Sequence, residues 1–472
     1  MKKTQKINTG SLAIGLGCLL AAHTFCAHAQ TPTGADFQGS VVREQATAQR
    51  LPLSLDDAIA RALRTNLGIL LQSDATGQVR GERLQALQSL LPTVTGTAQA
   101  VVAQTNLQAE GLRGPGFPVI IGPYGYTDFR LTLQQSLLNV PSLQTYLAAR
   151  HDFQAAQFSL QDARDMVVVT AANAYLLCLA DAARVAGVQA QVDTAKLSLD
   201  QAVARHQAGV SPRLDELRAR VDYQTQQQSL IAAQNQYDKD KIALARVIGL
   251  PLDQQFELTD TARYAALDHV DESQAMQQAM AHRSDMKAAE QQVLAAQQAK
   301  SAATFERLPQ LNFEIDYGEI GVNPNSSYGT LNLAGTLSAP IFEEGKLRGD
   351  ARIAQAQLAQ AQARASNLSA QVRADVEDSL LDIQSAAKLV SASQSNLQLA
   401  KEALSEAQQR FAAGVSGNLA VSQALTSVAQ ANDAYVASLY QHNLAKLSLA
   451  RALGVAQMQS KTILGGGTPW QK

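Results

Sequence analysis

The strongest constraint on what this chain can fold into is an internal duplication. The segment Arg205–Ser211 matches Arg410–Ser416, and Leu244–Leu250 matches Leu449–Val455, both at an offset of 205 residues. Self-similarity at a fixed spacing indicates an architecture built from repeated units. We therefore expect each structural element to occur twice, in equivalent surroundings.

Two further matches locate an insertion in the first copy. Leu91–Pro92 matches Leu308–Pro309 at an offset of 217, whereas Leu133–Leu138 matches Leu337–Phe342 at an offset of 204. The first copy therefore carries 13 extra residues between these points. They fall within Glu110–Asp128, whose Gly and Pro residues predict an enlarged loop.

Each copy begins with a predicted helical stretch that ends near a proline. These stretches are Leu55–Leu90 and Glu272–Arg307, followed by Pro92 and Pro309. Proline lacks an N–H group and disfavours continuation of a helix. We therefore predict that the chain leaves the helical region at these two prolines.

Segments with strand periodicity come next in each copy. Apolar residues at 311, 313, 315 and 317 alternate with polar ones, and residues 331–337 repeat the pattern. A period of two is typical of a strand with one apolar face. We predict β-hairpins over residues 93–138, with strands Thr93–Asn106 and Thr127–Leu138, and over residues 310–340.

A very long helix and a return helix complete each copy. The long helices are predicted over residues 142–207 and 346–412, roughly 100 Å each at about 1.5 Å per residue. Residues spaced by three and four form a heptad seam, which indicates coiled-coil packing. The seam positions are Val185, Val188, Val192, Ala195, Leu199, Ala202 and His206 in one copy, and Val390, Ser393, Leu397, Ala400, Leu404, Ala407 and Phe411 in the other. Return helices are predicted over residues 213–248 and 418–453.

The N-terminus predicts a signal peptide over residues 1–29. Three early lysines precede the short apolar run Ser11–Ala22, and Ala27-His28-Ala29 places cleavage before Gln30. The remaining layout is an extended segment at 30–53, a first repeat at 54–251, an equatorial linker at 252–271, a second repeat at 272–455 and a C-terminal tail at 456–472. Residues 30–51 and the Gly-rich end of the tail from Gly465 are expected to be irregular.

Charge and cysteine content exclude several classes of protein. The chain has 39 basic and 41 acidic residues, without the basic excess of a nucleic-acid-binding protein. Of three cysteines, only Cys178 lies outside the predicted signal peptide, which excludes an internal disulfide. The histidines show no metal-ligand spacing. We therefore expect neither an enzyme nor a bound cofactor or metal.

The four amphipathic strands pose a physical problem that points to a membrane. Strands of about 11 to 14 residues are long enough to cross a bilayer when tilted. Four strands cannot close a barrel, however, and an open sheet edge is not tolerated in lipid. Several chains would then share one barrel, and a three-fold assembly would supply twelve strands. The predicted fold class is mainly α with a small β part: a trimeric helical tunnel of coiled coils below a shared transmembrane β-barrel.

The sequence resembles the TolC-like outer-membrane efflux proteins, the outer membrane factors. The resemblance is carried by Gln135–Asn139, by Ala339–Arg348 and by Arg283–Met286, which is similar to the family's Arg-Pro-Asp-Leu element with Ser for Pro. Both Gly-x-Ser turns also match. It implies a homotrimeric channel in the outer membrane of a Gram-negative-type bacterium, whose tunnel extends into the periplasm. The implied partners are outer-membrane lipid, a periplasmic adaptor and an inner-membrane pump of the resistance-nodulation-division, ABC or major-facilitator type.

The resemblance also assigns roles to particular residues. Eight residues at the hairpin tips would contact the adaptor: Gly209, Val210, Ser211, Leu214, Gly414, Val415, Ser416 and Leu419. Asp215, Glu216 and Phe411 would form the periplasmic entrance, although Phe411 and Ser416 depart from the Tyr and Arg of relatives. Pro92, Pro309, Ser136 and Pro340 would mark the passages from helix to barrel.

One alternative from another class stays open at this point. Periplasmic adaptors and scaffolds also carry coiled-coil hairpins, without a pore. An adaptor's β domains would be soluble, so the two strand pairs with one apolar face favour the channel. The transported substrate and the partner pump are left open by the sequence.

Overall fold

The computed structural model describes residues 35–261, 264–267 and 270–465. The predicted signal peptide at 1–29, the start of the extended segment and the end of the tail lie outside the described residues. Long helices dominate the described part, together with one four-stranded sheet. The helices are α1 (Leu55–Thr65), α2 (Leu67–Gln88), α3 (Val140–Gln207), α4 (Arg213–Ile248), α5 (Glu272–His282), α6 (Ser284–Phe305), α7 (Glu344–Ala412), α8 (Asn418–Ala452) and α9 (Ala456–Leu464). The strands are β1 (Leu51–Leu53), β2 (Thr93–Asn106), β3 (Ile120–Leu138), β4 (Phe256–Leu258), β5 (Gln310–Gly321) and β6 (Ser327–Ser338).

The first helical stretch of each copy is broken in two, so the prediction of one continuous helix was wrong. In the first copy the chain turns at Asn66, whose ψ of 133° is not helical. The Asn66 side chain accepts a hydrogen bond from the N–H of Gly68 and donates one to the carbonyl of Phe37. It thereby caps α2. In the second copy Arg283 occupies the break, with a ψ of 122°.

Segments outside the two predicted repeats contain regular structure. Within the predicted linker, β4 pairs in parallel with β1, which belongs to the predicted extended segment. The predicted tail begins with helix α9. Lys446 on α8 donates hydrogen bonds to the carbonyls of Leu464 and Ala265, so one buried ammonium group holds both the end of α9 and the linker.

The four longer strands form an antiparallel sheet in the order β2-β3-β5-β6. Strand β3 begins at Ile120, so the predicted loop over Glu110–Asp128 ends earlier than expected. Residues 120–128, the second half of the predicted loop, belong to β3. They continue the pairing of β3 with β2 as far as Ile120, which stands opposite Asn106. Within the described residues β2 and β6 are each paired on one side only.

The long helices form two antiparallel hairpins, α3 with α4 and α7 with α8. None of the predicted seam residues is exposed, and Val188, Val192, Ala195 and Ala202 are buried on α3. Helix α3 is also long and apolar enough to span a membrane, but 56% of its most apolar stretch is buried inside the protein. This burial is typical of a core helix. Tyr175 in that stretch donates a hydrogen bond to Asp260, 2.7 Å away.

Candidate functional site: the sheet and the helical tips

One face of the sheet is apolar and exposed. Cross-strand partners lie on the same face, and Leu131 stands opposite Tyr317, which in turn stands opposite Leu331. Leu331 is 68% exposed. Other large apolar residues exposed on this face are Val94, Phe129, Leu333 and Leu337. Such a contiguous apolar surface marks contact with lipid or another protein.

The opposite face carries a charged network. Arg130 donates to Asp128 Oδ2 at 2.9 Å and to Asp316 Oδ1 across the strand pair. Further along, Gln134 donates to Glu314 at 3.1 Å. The two faces thus have opposite polarity, as the alternation in the sequence predicts.

The four predicted passage residues lie where helices and strands meet. Pro92 precedes β2, Pro309 precedes β5, and Pro340 follows β6 by two residues. Ser136 lies in β3 where the pairing with β5 shifts by one residue, a β-bulge that bends the strand.

Sequence reasoning did not single out the two most exposed apolar residues at these passages. Ile341 and Phe342 follow Pro340 and are 97% and 93% exposed. Their counterparts by the duplication, Leu137 and Leu138, are exposed as well. Exposed apolar pairs recurring at the same point of both copies could have been found by aligning the repeats.

The two helical tips have the same backbone geometry. Gly209 and Gly414 have φ angles of 70° and 75°, which only glycine adopts at low cost. In the first tip the N–H of Val210 donates to the carbonyl of Arg205, and in the second that of Val415 donates to Arg410, both at 3.0 Å. These bonds close the helix ends in the way a C-terminal glycine permits.

The predicted adaptor-contacting residues divide into exposed apolar and buried polar groups. Val210, Leu214, Val415 and Leu419 are exposed large apolar side chains. The hydroxyl oxygens of Ser211 and Ser416 are buried, and within the described residues neither has a hydrogen-bond partner. The tips therefore present an apolar surface, while the serines face inward.

Arg205 joins the two tips, and sequence reasoning missed its role. Its Nη1 atom donates to the carbonyls of Phe411 and Ala412, at the C-terminal end of α7. Its guanidinium also lies 4.8 Å from the centroid of the Phe411 ring. A cation is favourable at a helix C-terminus because carbonyl groups without helical partners concentrate negative charge there.

The predicted entrance residues lie at this junction, but only in part at the surface. Phe411 is 2% exposed and packs against Ala202, Ala219 and Val421, so it forms a small core inside the tip. Asp215 is also buried, and its Oδ1 atom faces Gly417 of the second tip, where an added Cβ would lie 3.9 Å away.

Glu216, the third entrance residue, has its partners within its own hairpin. It accepts a hydrogen bond from Arg220 at 2.8 Å, and its Oε2 lies 4.0 Å from Nε2 of His206. The Arg220 pair is of the stabilising i, i+4 type on a helix.

Three further buried ionisable side chains lie away from the tips, Arg283 at the break between α5 and α6, and His442 and Lys446 on α8. Burial opposes ionisation of Arg283, but hydrogen bonds to Asp285 and Asp375 outweigh it and raise the pKa of the guanidinium. Burial lowers the pKa of His442 to about 4 and that of Lys446 to about 8. In the part of the chain that the structure describes, no three His, Cys, Asp or Glu side chains are grouped so that they could hold a metal ion.

Comparison with known proteins identifies the architecture. The family model described as outer membrane efflux protein matches residues 78–250 and 275–455, one match for each copy of the duplication. The chain belongs to the outer membrane efflux protein family. This membership confirms the resemblance found in the sequence, and with it location in the outer membrane. It also decides for an efflux channel over a periplasmic scaffold without a pore.

One curated relative is the pyoverdine export outer membrane protein OpmQ of Pseudomonas putida, 28% identical over 316 residues. That alignment covers 65% of this chain and 66% of the relative, slightly less than two thirds of its length.

Solved structures show the same fold. The CmeC outer membrane channel of Campylobacter jejuni superimposes with a TM-score of 0.75 at 16% identity, covering 93% of each chain. The outer membrane protein VceC of Vibrio cholerae gives 0.73 at 21% identity, covering 85% of this chain and 96% of that one. The mainly helical fold with a small sheet is therefore the fold of these outer membrane proteins.

Proposed function

We propose that three copies of this chain form one outer-membrane channel that conducts substrates passively out of the cell. The observation that carries the proposal is the four-stranded sheet, which has one exposed apolar face and, within the described residues, edge strands β2 and β6 that are each paired on one side only. Backbone groups at an open edge cannot be left unsatisfied in lipid. If β6 of one copy pairs with β2 of the next around a ring, the sheet closes into a barrel and no open edge is left.

A three-fold ring supplies twelve strands, which enclose a lumen wider than that of eight-stranded barrels filled by side chains. The face with Arg130, Asp128 and Asp316 would line this lumen, and the face with Leu131 and Leu331 would contact lipid. The long helices would continue the conduit into the periplasm. The channel would carry out no catalysis, since the energy comes from an inner-membrane pump.

The helical tips would receive the partners of the channel. Exposed Val210, Leu214, Val415 and Leu419 offer an apolar surface for a periplasmic adaptor, which would connect the channel to a pump of the resistance-nodulation-division, ABC or major-facilitator type. Photo-crosslinking amino acids at Val210 and Val415 test this contact in cells. Capture of an adaptor from both positions, and not from exposed Leu252 outside the tips, is expected. Equal yields from all three positions would contradict tip docking.

Asp215 would help to restrict the closed entrance, because its buried carboxylate lies beside Gly417 of the second tip. The neutral variant Asp215→Ala is expected to raise single-channel conductance in planar bilayers. Asp193→Ala, at an exposed site on α3, serves as the control. Conductance and gating of Asp215→Ala equal to those of the unmodified protein would sink this role.

The curated relative is named for pyoverdine export, which makes pyoverdine a candidate cargo. Deleting the protein from its own host and measuring pyoverdine in the medium tests this assignment. Secretion should fall if pyoverdine is the cargo, and unchanged secretion would exclude it.

A further inference from the structure

The duplication predicts a contact between chains from an equivalent contact within one chain. In a ring of duplicated chains, first and second copies alternate, so each chain shows one boundary between copies and leaves the other to its neighbour. The boundary inside the chain is visible at the tips, where Arg205 of the first copy caps α7 of the second. The equivalent arginine of the second copy is Arg410, at the offset of 205.

Arg410 differs from Arg205 in the contacts of its side chain. Its side chain is exposed and makes no hydrogen bond or ion pair within the described part of the chain. Arg205, in contrast, makes two hydrogen bonds and a ring contact. The two arginines occupy equivalent positions and precede turns of the same geometry. Within the described residues, Arg205 contacts the end of another helix and Arg410 does not.

The matching acceptors lie at the end of α3. The residues equivalent to Phe411 and Ala412 are His206 and Gln207, which form the last turn of α3. The carbonyl of Phe411 accepts the N–H of Gly414 as well as Arg205, and the carbonyl of His206 accepts the N–H of Gly209 in the same way. The end of α3 therefore has the same negative carbonyl cluster, without an arginine beside it.

Helix faces further from the tip differ between the two copies. Inside the chain, Arg184 pairs with Asp433, and Ser422 donates to Asp222. The residues at the positions of Arg184 and Ser422 in the other copy are Leu389 and Leu217, and both are exposed. These two polar contacts are therefore not repeated at the outer boundary, and the equivalence between the boundaries holds at the tips.

We propose that Arg410 caps the C-terminal end of α3 in a second copy of this chain, donating to the carbonyls of His206 and Gln207 there. The occupant is a second copy because the same cap, made by the equivalent residues, already exists within the chain. The inference rests on the proposed ring assembly and assigns the residues that close it at the periplasmic end. Within one chain Arg205 clamps the two hairpins, and between chains Arg410 does.

Paired cysteines distinguish these two clamps. The native Cys178 is fully buried, so introduced cysteines are the reactive ones. The test variant carries Arg410→Cys with Gln207→Cys, and the matched control carries Arg205→Cys with Ala412→Cys. A short thiol-specific crosslinker is added to the full-length protein in detergent, and the products are separated on a denaturing gel.

The test pair is expected to give covalent dimers and trimers with loss of the monomer band. The control pair is expected to stay at monomer mass, with altered mobility from an internal crosslink. The single variant Arg410→Cys should give neither product.

Light scattering on the same samples separates failure of this inference from failure of the proposed function. A trimer mass without chain-to-chain crosslinks from the test pair overturns the Arg410 contact and leaves the channel standing. A monomer mass overturns both. If the control pair gives no internal crosslink, the contact between Arg205 and the end of α7 does not exist in solution. The proposed contact of Arg410 is inferred from it by equivalence and is then overturned as well.

Discussion

At the scale of single residues, buried charged side chains stabilise particular features of this fold. The side chain of Arg283 is 5% exposed and bridges Asp285 and Asp375 at 2.7 and 2.6 Å. Removing one member of a buried ion pair leaves the other charged and unpaired, which costs far more than losing an exposed pair. The break between α5 and α6 therefore depends on this guanidinium.

The variant Arg283→Ala is expected to lose about 3–5 kcal/mol of stability, because Asp285 and Asp375 lose their buried partner. Thermal unfolding followed by circular dichroism in detergent measures the change. The matched control is Arg307→Ala, which breaks the half-exposed pair with Glu344 and should cost at most about 1 kcal/mol. Equal shifts in the two variants would contradict the structural role of Arg283.

His442 on α8 predicts a pH dependence. Burial holds its pKa at about 4, below the free value of 6.5, and neither ring nitrogen has a hydrogen-bond partner among the described residues. As pH falls, the unfolded chain takes up the proton before the folded one does. Stability is therefore expected to fall between pH 6.5 and about 4.

The variant His442→Leu removes this titration and should lose less stability on acidification than the unmodified protein. Exposed His282→Leu is the control and should behave like the unmodified protein. Unfolding midpoints measured at several pH values across this window provide the comparison. Parallel curves for His442→Leu and the unmodified protein would show that His442 does not titrate there.

At the scale of elements, local periodicity predicts much of the structure, and long-range contacts account for what it misses. The alternation at 311–317 and the heptad seam from Val185 to His206 are local patterns, so strands and long helices could be read from them. The break at Asn66 depends on the carbonyl of Phe37, 29 residues earlier. This contact cannot be predicted from the periodicity of the helical residues.

The tips show the same division between local and distant causes. The turns could be predicted from Gly209 and Gly414, because each turn requires a positive φ angle that glycine adopts at low cost. The contact made by Arg205 joins residues that are 206 positions apart in the sequence. The one sequence feature that pointed to it was the occurrence of an arginine at the same position in both copies. Burial of Phe411 follows from packing against three other helices, which the sequence of α7 alone does not encode.

The sheet gives a prediction in which two neighbouring residues differ in their effect. Leu331→Asp places a charge on the apolar face, whereas Thr330→Asp places the same charge on the polar face of the same strand, opposite Gly318. Charged residues on the lipid face of a barrel are destabilising, by amounts that depend on depth.

Leu331→Asp is therefore expected to reduce the amount of assembled protein in the outer-membrane fraction several-fold, and Thr330→Asp to leave it nearly unchanged. Quantitative immunoblotting of membrane fractions measures both. Equal membrane levels for the two variants would contradict the assignment of the faces.

At the scale of the whole molecule, one chain contains complementary halves of each contact that the proposed ring requires. The sheet has a β2 edge and a β6 edge, and the tips have the exposed Arg410 and the end of α3, to which no arginine donates within the described residues. Interfaces of this head-to-tail kind close into a ring when the rotation per copy fits. The duplication explains why each half has its counterpart on the same chain.

The most direct test of the channel is single-channel recording from the detergent-extracted protein in planar bilayers, with its mass measured in parallel by light scattering. For the proposed trimeric channel we expect discrete, long-lived conductance steps from a species with the mass of three chains. A protein that is released from membranes by a salt wash, has the mass of one chain and gives no conductance would contradict it.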